Sequence, residues 1–133
     1  MRIRDALLTT ALLFASPAAF APAALAHGDA PAPAHGGVVA EGSGEHWVEL
    51  AVAGDQVTAW VSDEGNKPVP AAQLGGKATV LVGGKSQVVA LSPAGANSVT
   101  GRLSAPATGQ VTAVLALTAD GKPVQVKFVV PAK

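Results

Sequence analysis

Asp120-Gly121 lies between two runs in which apolar residues fall on every second position. An Asp-Gly pair readily adopts the left-handed backbone of a two-residue hairpin loop, whose twist matches that of the flanking strands. With that turn, Val111, Ala113, Leu115 and Leu117 share a face with Val124, Val126, Phe128 and Val130. Thr112, Ala116, Thr118, Gln125 and Lys127 fall on the other face. A sheet built this way has one face that must be buried against another layer.

A second hairpin follows from Gly54-Asp55. It faces Val48, Leu50 and Val52 toward Val57, Ala59 and Val61, and makes Trp47 and Trp60 diagonal neighbours on the opposite face. The Gly83-Gly84 pair admits two registers. A three-residue loop, Gly83-Gly84-Lys85, aligns Ala78, Val80 and Val82 with Ser86, Val88 and Ala90, and is the register expected here, because one slipped residue inverts the faces. A short strand is expected near Ser98 to Leu103, and a single helical turn near Ala71 to Leu74. The fold class is therefore all-β: a small immunoglobulin-like β-sandwich of about seven short strands, with a small β-barrel as the alternative.

The chain divides into three parts. Residues 1–26 read as a signal peptide, with Arg2 and Arg4 ahead of an apolar run and Ala24-Leu25-Ala26 as a cleavage site. That run is too short to span a bilayer, so no membrane span is expected in the mature chain. Residues 27–34 form a flexible Pro/Ala arm of polyproline character. Residues 35–133 form the single β domain.

Composition removes several classes of function. Without residues 1–26 the chain carries seven Lys/Arg against eight Asp/Glu. The reading finds no basic stripe for nucleic acid and no acidic block. Cysteine is absent and Met1 is the only methionine, so thiolate and thioether chemistry are excluded. No G-x-S-x-G is present, the Gly pairs lie between strands, and Ser43 near His46 is weak evidence for a nucleophile. The chain is not read as an enzyme.

Imidazole and carboxylate groups remain, and together they suit Zn²⁺, Co²⁺ or Cu²⁺. His35 and His46 lie in the stretch A-H-G-G-V-V-A-E-G-S-G-E-H-W-V-E-L (34–50), and cleavage after Ala26 makes His27 the N-terminus. His46 and Glu49 are three apart on a strand and point to opposite faces. The Gly54-Asp55 register instead sets Asp63 across from His46. The expected metal site is His46 with Asp63, closed by His35 and His27 from the arm. Against this stands a purely structural role, with a His–Asp pair closing one end of the core and His35-Gly36-Gly37 serving as a turn. Glu41, Glu45 and Glu49 are expected to be solvated, and Trp47 and Trp60 to be packing residues.

The order H-G-G-V-V (35–39), H-W-V-E-L (46–50), D-E-G-N-K-P-V (63–69), A-T-V-L-V-G-G-K (78–85), L-S-P-A-G-A-N (91–97) and V-Q-V-K-F (124–128) resembles a known domain. It is similar to the N-terminal β domain of CzcB-type periplasmic adaptor (membrane fusion) proteins of heavy-metal efflux systems. The resemblance implies a periplasmic β-sandwich associated with export of Zn²⁺, Co²⁺ or Cd²⁺, with His35 and His46 at the matching histidine positions. The sequence has no long helical hairpin, so what the resemblance transfers is the domain and not the bridging role of a full adaptor. The function expected is a divalent heavy-metal-binding accessory protein, a buffer or carrier linked to efflux. Its partners would be the metal ion and a periplasmic component of an efflux pump. The alternative is a metal-independent interaction module that docks on a pump component.

Overall fold

A computed structural model describes residues 29–133. Residues 1–26, expected to be a signal peptide, and His27 lie outside the described residues. Eight strands follow in order: β1 (Val38–Gly42), β2 (His46–Ala53), β3 (Gln56–Ser62), β4 (Leu74–Val82), β5 (Lys85–Ala94), β6 (Ser98–Arg102), β7 (Gln110–Ala119) and β8 (Lys122–Pro131). A single 3-10 turn, Ala71–Gln73, precedes β4. The all-β class is as expected, with eight strands instead of about seven. No helix among the described residues is long and apolar enough to cross a membrane.

All strand pairs are antiparallel, and the sheet order is β1-β2-β3-β6-β5-β4-β7-β8. The strand β5 joins the two halves: Lys85 to Leu91 pair with β4, and Ser92 to Ala94 pair with β6. The two ends of the sheet approach each other, so it is nearly closed. Ser43 N donates to Gln125 O at 3.0 Å, and Gln125 N donates to Ser43 Oγ at 2.8 Å. Beyond β8, Lys133 N donates to Val52 O and Gly54 N donates to Lys133 O, both at 3.0 Å. These bonds occupy edge groups that would otherwise be open to pairing with another chain.

The Asp120-Gly121 hairpin has the expected register, with Val111 opposite Val130 and Leu115 opposite Val126. Its two loop residues have φ of 52° and 76°, as a loop left-handed at both centre positions requires. The Gly54-Asp55 hairpin also has its expected register, with Val48 opposite Val61 and Val52 opposite Val57. The third hairpin corrects its expectation. Val82 pairs with Lys85, so Gly83-Gly84 is a strict two-residue loop with φ of 56° and 80°. Its two glycines adopt the left-handed conformations that such a loop demands. The one-residue difference buries Val89 and Leu91 in place of Val88 and Ala90, a larger apolar pair.

The inward faces form one core running from Val48, Leu50 and Val61 through Val80 and Leu91 to Leu115, Val126 and Phe128. Phe128 is 2% exposed and is the largest fully buried side chain among the described residues. Phe128→Ala is expected to cost about 3–5 kcal/mol through lost burial and a residual cavity, measurable as a lower urea midpoint. A domain of this size has only about 5–15 kcal/mol in total. An unchanged midpoint would contradict the packing of β7–β8 against the rest of the core.

Candidate functional site

Two places collect the polar groups singled out in the sequence, and they lie on different faces of β2. The first is on the outer face, where the arm crosses β2 and β3. Glu49 sits directly opposite Trp60 on β3 and Val39 on β1. Its carboxylate accepts Ala34 N at 2.7 Å, His35 N at 2.9 and 3.1 Å, and Gly37 N at 3.3 Å. Amide groups from one short stretch converging on one anion form a concave, nest-like backbone site. Two glycines permit it. Gly36 has φ of 71°, and a side chain at Gly37 would come within 2.4 Å of Leu50 O.

His35 is held at two points. Its ring stacks on the Trp60 indole with centroids 3.9 Å apart and planes 2° from parallel. Its Nδ1 lies 3.2 Å from Glu49 Oε1. The histidine side chain is still 42% exposed, whereas Glu49 is 7% exposed. Burial alone raises the pKa of Glu49, but hydrogen bonds from His35 N, Ala34 N, the His35 ring and Gly37 N outweigh it. The carboxyl is held below its ordinary value and is ionised at neutral pH. An ionised carboxylate only accepts hydrogen bonds, so Nδ1 of His35 carries the proton of this contact, and a neutral ring then has its lone pair on Nε2.

The expectation that Glu49 is solvated is therefore corrected: it is a buried carboxylate whose partners are the arm's own amides. Trp60 does pack, as expected, but what it packs against is His35. The groove beside it is lined by Pro31, Ala34, Trp47 and Pro68 among others, so the proline-spaced arm and both indoles border one groove.

The second place is a cleft of about 350 Å³ at one end of the core, lined by Glu45, His46, Asp63, Glu64, Asp120 and Lys122 with neighbouring apolar residues. His46 and Asp63 thus meet at the same cleft, as the hairpin register implied. Asp63 is engaged elsewhere: Oδ1 accepts Lys67 N at 2.8 Å, which closes the 63–67 turn. His46 is only 9% exposed, and its buried Nδ1 has no hydrogen-bond partner among the described residues. His35, bound to Glu49 and Trp60, is placed with neither His46 nor Asp63. Among the described residues no three His, Asp or Glu side chains are grouped so as to hold a metal ion.

The two histidines differ as candidate ligands. Coordination through Nε2 requires the proton on Nδ1. At His35 that N–H is already paired with a carboxylate; at His46 it would be buried without an acceptor, at a cost of about 1–3 kcal/mol. His35 is the better presented imidazole. The sequence carries no signal that separates Glu49 from a solvated glutamate on the outer face of a strand.

Glu49→Ala is expected to free residues 29–37 and to cost about 1–3 kcal/mol, read as faster amide exchange and proteolysis of the arm. Because the folded pKa of Glu49 lies below its ordinary 4.5, its contribution is complete above that pH and declines as pH falls through the lowered value. Arm protection that is unchanged in the variant would contradict the clamp.

No family model matches the chain, and no curated protein or solved structure matches it.

Proposed function

We propose that this chain is an exported, periplasmic protein that binds a divalent transition metal weakly and reversibly, as a buffer or carrier serving a heavy-metal efflux system. The observation that carries the metal reading is His35: Nδ1 tied to a buried carboxylate, ring stacked on Trp60, side chain still partly exposed. A histidine whose second nitrogen donates to a carboxylate is the usual arrangement of a metal ligand, because the carboxylate fixes the tautomer and raises ligand basicity. The ion here is cargo, so modest affinity suits the role. The described residues supply part of a ligand set, which water or His27 would complete. The leader and the order of the Gly/Val/His motifs support the periplasmic and efflux assignments.

Calorimetric titration with Zn²⁺, Co²⁺ and Cu²⁺ tests this reading. Binding is expected in the parent, lost in His35→Ala and weakened about 10- to 100-fold in Glu49→Gln. Apparent affinity should fall on acidification, since protons compete for imidazole. Absence of binding by the parent would leave the metal-independent docking module as the reading. Unchanged binding in His35→Ala would move the site to His27 or to His46 and Asp63.

A further inference from the structure

The near-neutral total charge is unevenly placed. Residues 29–66 contain seven Asp/Glu and no Lys or Arg, while residues 67–133 contain seven Lys/Arg and one Asp, Asp120. Strands β5, β4, β7 and β8 are neighbours in the sheet, and none of them contains a carboxylate. Asp120 lies in the β7–β8 turn, at the opposite end of that hairpin from Val129. The ion pairs among the described residues, His35–Glu49 and Arg102–Asp55, use no lysine of these strands.

The outer face of the four strands carries the large exposed apolar residues: Leu81, Val88, Val114 and Val129, between 42% and 66% exposed. Cross-strand pairing makes them contiguous. Thr79 lies between Val88 and Val114, and Thr112 between Leu81 and Val129. Lys127 pairs with Val114 and so extends the first row; Lys77, two residues from Thr79, shares the same face. Both lysines are exposed, and Lys85 stands exposed at the β4–β5 turn. A contiguous exposed apolar patch marks an interaction surface.

The chemistry of the face selects the kind of partner. Protein hot spots are rich in Trp, Tyr and Arg seated in pockets. This face has none of these residues: the tryptophans belong to β2 and β3, and Arg102 to β6. Neither the indole groove nor the cleft at the core end is lined by any of the four aliphatics. What the face offers is a broad aliphatic patch with lysines whose charge no carboxylate takes up. We propose that it rests on an anionic lipid surface. Lysine stems lie along apolar surface while their ammonium groups reach headgroup phosphates, and the aliphatics settle at the acyl boundary. With no carboxylate on these strands, nothing on the face repels the headgroups. The contact lies on the surface and spans nothing, and it does not depend on metal binding.

Co-sedimentation of the purified protein, as processed by its expression host, with lipid vesicles tests this at low and at 0.5 M salt. The vesicles are phosphatidylcholine alone, or an equal mixture with phosphatidylglycerol. The expected result is partitioning onto the mixed vesicles at low salt, loss of it at high salt, where charges are screened within a few ångströms, and none onto phosphatidylcholine alone. Lys77→Gln and Lys127→Gln should each weaken partitioning roughly fivefold. Lys67→Gln removes the same charge from a turn that precedes these strands and should change nothing. Val88→Gln, a single exposed change, should also weaken partitioning and serves if a lysine variant fails to fold. A parent that does not partition onto the mixed vesicles at low salt would overturn the proposal. Equal losses in Lys67→Gln and Lys127→Gln would overturn the assignment to this face. A parent that self-associates at low salt and leaves the vesicles bare would give the patch to a second copy, and equally overturn it.

Discussion

A buried carboxylate on the outside of a sheet is costly unless its lone pairs are filled. Glu49 is in that position, and the groups that fill it come from the arm. This one interaction explains why two separate motifs, H-G-G (35–37) and H-W-V-E-L (46–50), occur together. The first supplies amides and the glycine conformations that aim them; the second supplies the acid. It also fixes where β1 begins, because the chain leaves the nest at Gly37 and enters the strand at Val38. His35 is thereby converted from a side chain on a polyproline-like segment into an oriented imidazole on an indole platform. Much of the entropy of ordering that imidazole is lost on folding itself.

The sheet positions this clamp by nearly closing on itself. The strand β5 changes partners at Leu91–Ser92, which lets one continuous sheet wrap a single core. The C-terminal residues reach back to Val52 of β2 and to Gly54 in the loop of the same hairpin that carries Glu49 and Trp60. Lys133 Nζ donates to Gly36 O, so the arm is held from the C-terminal side as well. The clamp therefore rests on a hairpin that is bonded on both flanks, by β1 and by β6.

The parts of this architecture written in local rules were legible in the sequence. Asp120-Gly121 and Gly54-Asp55 each specify one loop length, and alternation then decides every facing residue. Gly83-Gly84 failed as a guide because the deciding term was tertiary. Either loop gives a passable alternation, and only the opposing layer selects Val89 and Leu91 for the interior. His46 and Asp63 could be brought to one cleft because the register of a single hairpin relates them. The His35–Glu49–Trp60 cluster was not legible for the opposite reason. His35 lies on no strand, so no periodicity relates it to β2, and a glutamate within a strand ordinarily reads as solvated.

The central claim is that Glu49 sets the tautomer of His35 and so leaves Nε2 as the metal-binding atom. Long-range nitrogen–proton NMR correlation of the His35 ring measures this directly, in the metal-free protein at neutral pH and again after adding Zn²⁺. The account predicts a proton on Nδ1, with the Nε2 resonance displaced by the metal. A ring protonated at Nε2 alone, or an Nε2 resonance indifferent to Zn²⁺, would contradict it.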